Sequence, residues 1–209
     1  MKSNSWELDP TKFLPRKDAE KLLAVVKNRA ESAYPKEKKT AVRDYFITYL
    51  GLATGLRVME MAALNCDDLS TEDTLPSLLV KNGKGSKRRR VFFNDPFKKH
   101  CKEYLAWKQS IGESIEPGQP LLLSSNTGGH MTTRAIQKAF KRCAQEAGLP
   151  LHYSIHCLRH TYACLLLKAS NWNLRLVQKQ LGHSRITTTQ VYADVMLPEI
   201  KKALDRLYL

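Results

Sequence analysis

The chain has 209 residues, 43% of them hydrophobic, which is enough to bury the core of one large domain or two small ones. It carries 34 Lys and Arg against 20 Asp and Glu, so its formal net charge of +14 favours a polyanionic partner, with nucleic acid as the first candidate. No apolar run approaches the roughly 20 residues of a spanning helix, no signal peptide opens the chain, and the five cysteines show no C-x-x-C spacing. These features disfavour membrane proteins and disulfide-rich secreted proteins, and we expect a soluble, cytoplasmic protein with reduced thiols.

The first part of the chain predicts three helices. Residues 1–14 are expected to form a leader or linker. The segment RKDAEKLLAVVKNRAES has Leu22 and Val26 at helical spacing, and KTAVRDYFITYLGLAT predicts a second helix that ends at Gly55. A short third helix is predicted for VMEMAALNC, directly after Arg57.

The next segments concentrate positive charge. SLLVKNGKGSKRRRVFFN has two β-prone runs around a Gly-rich turn, which predicts a β-hairpin with six cations and no acid from Lys81 to Arg90. Such cations repel one another unless an anion lies nearby. A helix over about 132–147 is predicted to be basic on one face, for which a solvated surface is an equally good interpretation. The cations that we assign to nucleic-acid binding are Lys81, Lys87, Arg88, Arg89 and Arg90 of the hairpin and Arg134, Lys138, Lys141 and Arg142 of the helix.

The remaining segments are predicted to be mostly helical. A helix should follow Pro96, and LLLSSNTGGHMTT is typical of a loop with a short strand. Further helices are predicted over 156–169, in NLRLVQKQLG, in TTTQVYADV and from about 197 onward. The predicted fold class is therefore mostly α with a small antiparallel β-sheet.

The stretch IHCLRHTYACLLL is an apolar helix with a polar first turn. Because residues three and four apart share a helix face, His156, Arg159 and His160 should project together, at an end that favours a phosphate. An alternative is a buried arginine paired with an acid, with histidines that only cap the helix. A metal site of His152, His156 and His160 is disfavoured by the arginine on the same face and by the lack of a carboxylate or cysteine within helical reach, so we predict no metal.

Four motifs, in this order, are TGLRVMEMAAL, NGKGSKRRR, HCLRHTYA and LGHSRITTTQVYAD. Together they resemble the tyrosine site-specific recombinases, or phage-integrase family, over roughly residues 12–195. The resemblance implies the catalytic-domain (DNA breaking-rejoining enzyme) fold of that family for residues 15–209. Most members place a separate core-binding domain before it, which residues 1–14 cannot supply. We therefore expect either an excised catalytic domain or one of the short members, such as the invertases of fimbrial promoters.

The resemblance also implies a reaction and its residues. A tyrosine recombinase cleaves and rejoins DNA through a covalent 3′-phosphotyrosine, without a cofactor. On this basis Tyr192 is the nucleophile, Arg57 and Arg159 bind the phosphate, and Lys84 protonates the leaving 5′ oxygen, with Lys81 and Lys87 as rivals. His156 is expected to exchange a proton with Tyr192 and His183 to hydrogen-bond the phosphate. Glu60 and His160 are assigned supporting roles.

The expected partner is double-stranded DNA, bound by a homotetramer that assembles from monomers during synapsis. Accessory DNA-bending proteins are candidates for further partners, no membrane is expected, and the family context suggests the nucleoid. The last helix has an apolar stripe that the same domain or a neighbouring protomer must cover. Two other functions stay open: a DNA-binding regulator that no longer cuts, and a type IB topoisomerase, which shares much of this chemistry.

Overall fold

The computed structural model describes residues 12–34, 38–81, 88–185 and 187–194. Within these ranges the chain is mostly α-helical with one small antiparallel sheet, which confirms the predicted fold class. The helices are α1 (Arg16–Ala33), α2 (Lys39–Thr54), α3 (Val58–Ala62), α4 (Asp95–Ser110), α5 (Thr133–Glu146), α6 (His156–Ala169), α7 (Leu174–Leu181) and α8 (Thr187–Asp194), and the strands are β1 (Leu69–Ser70), β2 (Ser77–Val80) and β3 (Arg89–Phe92). None of the described helices has the length and apolarity to cross a bilayer. Lys84 and Lys87, at the predicted hairpin tip, and the predicted last helix lie outside the described residues.

Local sequence signals set several helix ends. The Asn94 side chain accepts a hydrogen bond from the Phe97 amide at the start of α4, and Thr132 and Asn173 cap α5 and α7 in the same way. Each cap satisfies a backbone donor that has no partner inside the helix. Helices α2 and α7 both end at a glycine in the left-handed conformation, Gly55 and Gly182.

The sheet is a meander in the order β1-β2-β3. Leu78 of β2 lies opposite Val91 of β3, and both are fully buried, whereas Arg90 of β3 is exposed. This alternation follows from the period of two residues in a strand. The two-residue strand β1 pairs with β2 and lies in a polar segment that the sequence did not predict to be a strand.

The core has two parts that α6 joins. Helix α2 lies at the centre of the larger part, where it contacts α1, α4, α5 and α6 and buries Phe46 and Leu50 completely. Leu158, near the start of α6, belongs to this larger cluster. Further along α6, Tyr162 and Leu167 belong to a smaller cluster with residues of α7 and α8. Because both clusters hold α6, its first turn is anchored on a rigid support.

A buried ion-pair network fixes the loop after α4. Glu113 accepts hydrogen bonds from Arg43 of α2 and from Lys108 of α4, whose Nζ lies 2.9 Å from Oε2. The three side chains are 7% exposed or less. Burial of charged groups is costly unless they are paired, so each member of this network depends on the others.

His100 of α4 lies inside an aromatic cluster and is 4% exposed. Its ring centroid is 4.2 Å from that of Tyr45 and 5.2 Å from that of Tyr49. Its Nε2 has no hydrogen-bond partner in the described part of the chain. Burial lowers the pKa of His100 to about 4, so the ring is neutral at pH 7.

We expect Glu113→Gln to destabilise the protein by about 3–5 kcal/mol, because it leaves two buried cations without their carboxylate. The exposed pair Lys27–Glu31 provides the matched control, and Glu31→Gln should change the free energy of unfolding by less than about 0.5 kcal/mol. Denaturant unfolding of both variants measures the difference. Equal effects would show that the buried network contributes no more than a surface pair.

The neutral His100 predicts a loss of stability in acid. The pKa in the folded state is about 4 and in the unfolded state about 6.5, so its contribution is complete above pH 6.5 and is lost as the pH falls towards 4. Between pH 7 and 4, the wild type should lose on the order of 2–3 kcal/mol more than His100→Phe. Denaturant unfolding at both pH values tests this, and identical losses in the two proteins would refute it.

Candidate active site

The Arg159 guanidinium is 6% exposed and has no carboxylate partner within the described ranges. Its Nη1 donates to the carbonyl of Gly55 at 2.7 Å, and its Nη2 donates to the carbonyl of Leu181 at 2.8 Å. Burial and the nearby charge of Arg57 lower the pKa of Arg159 to about 10, which leaves it charged at neutral pH. The alternative of an arginine paired with an acid therefore does not hold among the described residues, and the site retains a buried cation that backbone carbonyls hold.

The two carbonyls that hold Arg159 come from the ends of α2 and α7. Carbonyls at a helix C-terminus lack partners within the helix and carry partial negative charge, which suits a cation. Gly55 has φ 61°, and a Cβ there would collide with the Tyr162 ring. Gly182, just after Leu181, has φ 66°, and a Cβ there would lie 2.7 Å from Cδ of Arg89. Both helix ends thus require glycine.

His183 contacts Arg159 directly, with its Nε2 2.9 Å from Nη2. Because a guanidinium can only donate, Nε2 must accept, and the ring proton lies on Nδ1, 3.1 Å from the hydroxyl of Thr189. Burial and the Arg159 and Arg57 charges lower the pKa of His183 to about 3, so the ring is neutral. Gln178 further fixes the position by accepting from the His183 amide and donating to its carbonyl, each at 3.1 Å. Thr189 and Gln178 were not predicted as site residues, since no local pattern in the sequence distinguishes them.

Tyr192 lies on α8 and is 3% exposed. Its hydroxyl is 3.1 Å from Nδ1 of His160. Burial raises the pKa of Tyr192 to about 12, although the charges of Arg159 and Arg57 oppose this, so the phenol is protonated at neutral pH. This arrangement differs from the prediction, because the side chain on the Tyr192 hydroxyl is His160 and not His156. His156, the first residue of α6, is exposed.

Glu60 links Arg57 to the sheet. Its Oε2 accepts from the Arg57 amide at 2.8 Å, and its Oε1 accepts from Nη1 of Arg57 at 3.0 Å. Both oxygens also accept from the Arg89 guanidinium, at 2.9 and 3.0 Å. Burial raises the pKa of Glu60, but the hydrogen bonds from Arg89 and from the Arg57 amide outweigh this, so its pKa is lowered. Glu60 is therefore an ionised carboxylate that orients Arg57.

Several cations assigned to nucleic acid have partners within the protein. Arg89 faces inward, onto Glu60 and the carbonyl of Gln180, and is 13% exposed. Arg142 forms two hydrogen bonds with the buried Asp44, and Lys81 pairs with Asp68 at 2.8 Å. These acidic partners are distant in sequence, so the sequence pattern did not predict the contacts. The other described cations of this set are exposed. They are Arg88, Arg90, Arg134, Lys138 and Lys141.

Two cavities adjoin the first turn of α6. One is lined by Arg134, Lys138 and Lys141 of α5 together with His156, so the basic face of α5 continues to the start of α6. The other, of about 340 Å³, is lined by residues that include Lys12, His152, His156 and His160. Across the described ranges, no three His, Cys, Asp or Glu side chains are grouped so that they could hold a metal ion.

Residues 12–197 match the phage integrase family. This match covers most of the chain, so the protein belongs to that family.

Similar proteins include the tyrosine recombinase XerC of Vibrio campbellii, which is 33% identical over 169 residues, or 80% of this chain and 51% of that relative. The crystal structure of the XerA recombinase has a TM-score of 0.74 at 24% identity and covers 94% of this chain and 66% of XerA. The XerH recombinase bound to its difH substrate has a TM-score of 0.72 at 26% identity and covers 96% of this chain and 53% of XerH. The chain spans about half the length of the curated relatives it matches.

The contacts of His183 with Arg159 and Thr189 predict a single ring tautomer. We expect nitrogen NMR of His183 to show the proton on Nδ1 in the wild type. Thr189→Val removes the hydroxyl acceptor and should shift the Nδ1 signal, while the proton stays on Nδ1 because Nε2 still accepts from Arg159. Thr188→Val, at an exposed neighbouring position, is the matched control and should leave the spectrum unchanged. A proton on Nε2 in the wild type would contradict the contact with Arg159.

Proposed function

We propose that this protein is a site-specific DNA recombinase that cleaves and rejoins strands through a covalent 3′-phosphotyrosine on Tyr192. The observation that carries the proposal is the buried Arg159 cation, which has no carboxylate partner among the described residues and whose charge acts on Tyr192. Similar proteins, a recombinase bound to its DNA substrate among them, support the same reaction class.

Arg57 and Arg159 form the phosphate clamp. A phosphodiester that reacts with a hydroxyl accumulates charge on its nonbridging oxygens, and two guanidiniums stabilise that charge. Glu60 and the helix-end carbonyls of Gly55 and Leu181 hold the two guanidiniums before DNA binds. This preorganisation avoids a reorganisation cost during the reaction. The clamp supplies the charge for which other enzymes use divalent ions, so cleavage proceeds without a metal.

Tyr192, Lys84 and His183 act in the steps in which bonds to phosphorus form and break. The Tyr192 oxygen bonds to phosphorus and the 5′ oxygen leaves with its electron pair, taking a proton from Lys84, which lies outside the described residues. His183 lies beside Arg159. When the anionic phosphate binds, it raises the pKa of His183, so the ring gains a second proton. The protonated ring then donates a hydrogen bond to the phosphate. The 5′ hydroxyl later attacks the phosphotyrosine and restores the phosphodiester.

DNA binds across the first turn of α6. The exposed cations Arg134, Lys138 and Lys141 lie on α5 beside His156 and offer contacts to the phosphate backbone next to the scissile position. Contacts with phosphates position the duplex, but they do not distinguish one base sequence from another.

Recombination requires more than one protomer. Four protomers assemble on DNA in the nucleoid, and DNA-bending proteins are further partners. The segment from about 197 onward docks on a neighbouring protomer. The apolar stripe of that segment, with Ile200, Leu204 and Leu207, is the feature of the sequence that supports the docking.

The test of the proposed function is covalent trapping. Duplexes with a randomised central segment and a nick that prevents resealing are incubated with the protein, and those that become linked to it are recovered and sequenced. We expect a 3′-phosphotyrosine and a free 5′ hydroxyl. Tyr192→Phe should bind the recovered duplex with unchanged affinity and trap none.

Tyr162→Phe is the matched control, because it removes another hydroxyl of the same cluster and keeps the ring. It should trap like the wild type. An adduct in Tyr192→Phe would remove Tyr192 from the mechanism. Specific binding without any wild-type adduct would favour the non-cleaving regulator, and relaxation of supercoiled DNA without strand exchange would favour the topoisomerase.

A further inference from the structure

A further cavity, of about 550 Å³, lies away from the phosphate clamp and is lined by residues of α1, α2 and α4. Its residue on α2, Tyr45, precedes Gly55 by ten positions, which is about 15 Å along the helix axis. Among the described residues that line this cavity, none is a cation assigned to nucleic-acid binding. The cavity is therefore separate from the site of the proposed reaction.

Three aromatic side chains line the cavity: Tyr34 directly after α1, Tyr45 on α2 and Trp107 on α4. The Tyr34 and Trp107 rings meet edge to face, with their centroids 6.4 Å apart, and Tyr34 is 37% exposed. The faces of aromatic rings carry partial negative charge and attract cations, and a planar guanidinium also stacks on them. These walls therefore suit a flat organic cation.

Two carboxylates in the lining, Glu31 of α1 and Glu103 of α4, accept no hydrogen bond from the described part of the chain. The Lys27 ammonium lies 3.7 Å from Glu31, and the Lys99 ammonium lies 3.9 Å from Glu103. These are distances of loose ion pairs, longer than those of hydrogen bonds. The two lysines offset part of the negative charge, but they leave carboxylate oxygens free to accept from a ligand.

His100 adds another acceptor to the lining. The ring is neutral and 4% exposed, and its Nε2 has no partner among the described residues. A neutral imidazole keeps one nitrogen that accepts. Two carboxylates, an imidazole and three aromatic rings therefore match a ligand that is cationic, planar and rich in N–H donors.

We propose that this cavity binds an arginine side chain presented by a protein partner. A guanidinium can stack on the aromatic walls while its fork of donors reaches Glu31 or Glu103. A lysine ammonium is compact and strongly hydrated, so it matches these walls less well. The cavity is larger than a guanidinium, which leaves room for residues that flank the arginine. This inference goes beyond the proposed function and does not depend on DNA cleavage.

The first test uses the full chain and an arginine capped as its N-acetyl N-methylamide. During the titration, NMR follows the indole N–H signal of Trp107, which is assigned as the signal that Trp107→Phe lacks. We expect a saturable shift with a Kd on the order of millimolar. Capped citrulline has nearly the same shape without the charge and should give no saturable shift. Equal binding of both compounds, or binding of neither, overturns the inference.

Two further ligands test the chemistry and the source of the cation. Capped lysine should bind more weakly than capped arginine, and equal or tighter binding would overturn the choice of a guanidinium. Free arginine should also bind more weakly, because its charged amino and carboxylate groups lose water on binding. Tighter binding of free arginine would overturn a protein partner as the source.

Variants of the lining test the location. Glu103→Gln removes a charge at constant size and should weaken binding of capped arginine by roughly 3- to 10-fold. Tyr34→Leu should weaken binding as well, whereas Tyr34→Phe keeps the ring face and should bind like the wild type.

Glu72→Gln is the matched control, because it changes an exposed carboxylate outside the cavity. It should bind like the wild type, and thermal melting checks that all variants are folded. Unchanged affinity in both Glu103→Gln and Tyr34→Leu overturns the site. Covalent trapping on DNA involves a different part of the molecule, so a failure of the proposed function leaves these results unchanged.

Discussion

The buried charge of Arg159 is the constraint on which the rest of the site depends. A guanidinium withdrawn from water is stable only if its donors are satisfied, and here carbonyls at the ends of two helices contribute. The C-terminal ends of helices α2 and α7 must therefore both lie next to the Arg159 guanidinium. That requirement explains why each is followed by a left-handed glycine, one against Tyr162 and the other against Arg89. Oriented carbonyls in place of a carboxylate hold the cation and leave its charge available to an anion.

This positive potential determines the protonation of the neighbouring groups. The charges of Arg159 and Arg57 help to keep His183 neutral and oppose the effect of burial on Tyr192, and Arg159 acts on His160 in the same way. A phosphate in the clamp would offset part of this positive potential. It would favour protonation of His160 and His183 and would raise the pKa of the Tyr192 phenol. The same electrostatics therefore couple the protonation of these groups to the binding of an anion.

The sequence predicted the elements better than the contacts between them. The helix predicted over 156–169 coincides with α6 (His156–Ala169), because its apolar residues recur at helical spacing. Helical spacing also places His156 and His160 on one face, but they are about 6 Å apart along the axis. Only the packing of α8 on α6 decides which of them contacts Tyr192. Similarly, the run of Arg88, Arg89 and Arg90 shows its charge in the sequence, whereas the strand register decides that Arg89 faces inward.

The inward turn of Arg89 has a structural consequence for the hairpin. Its guanidinium binds Glu60 and the carbonyl of Gln180, and the Gln180 side chain accepts from the Phe92 amide of the same strand. Strand β3 is thus attached both to α7 and to the carboxylate that holds Arg57. A side chain that appears in the sequence as one more cation for DNA instead fixes the base of the hairpin relative to the phosphate clamp.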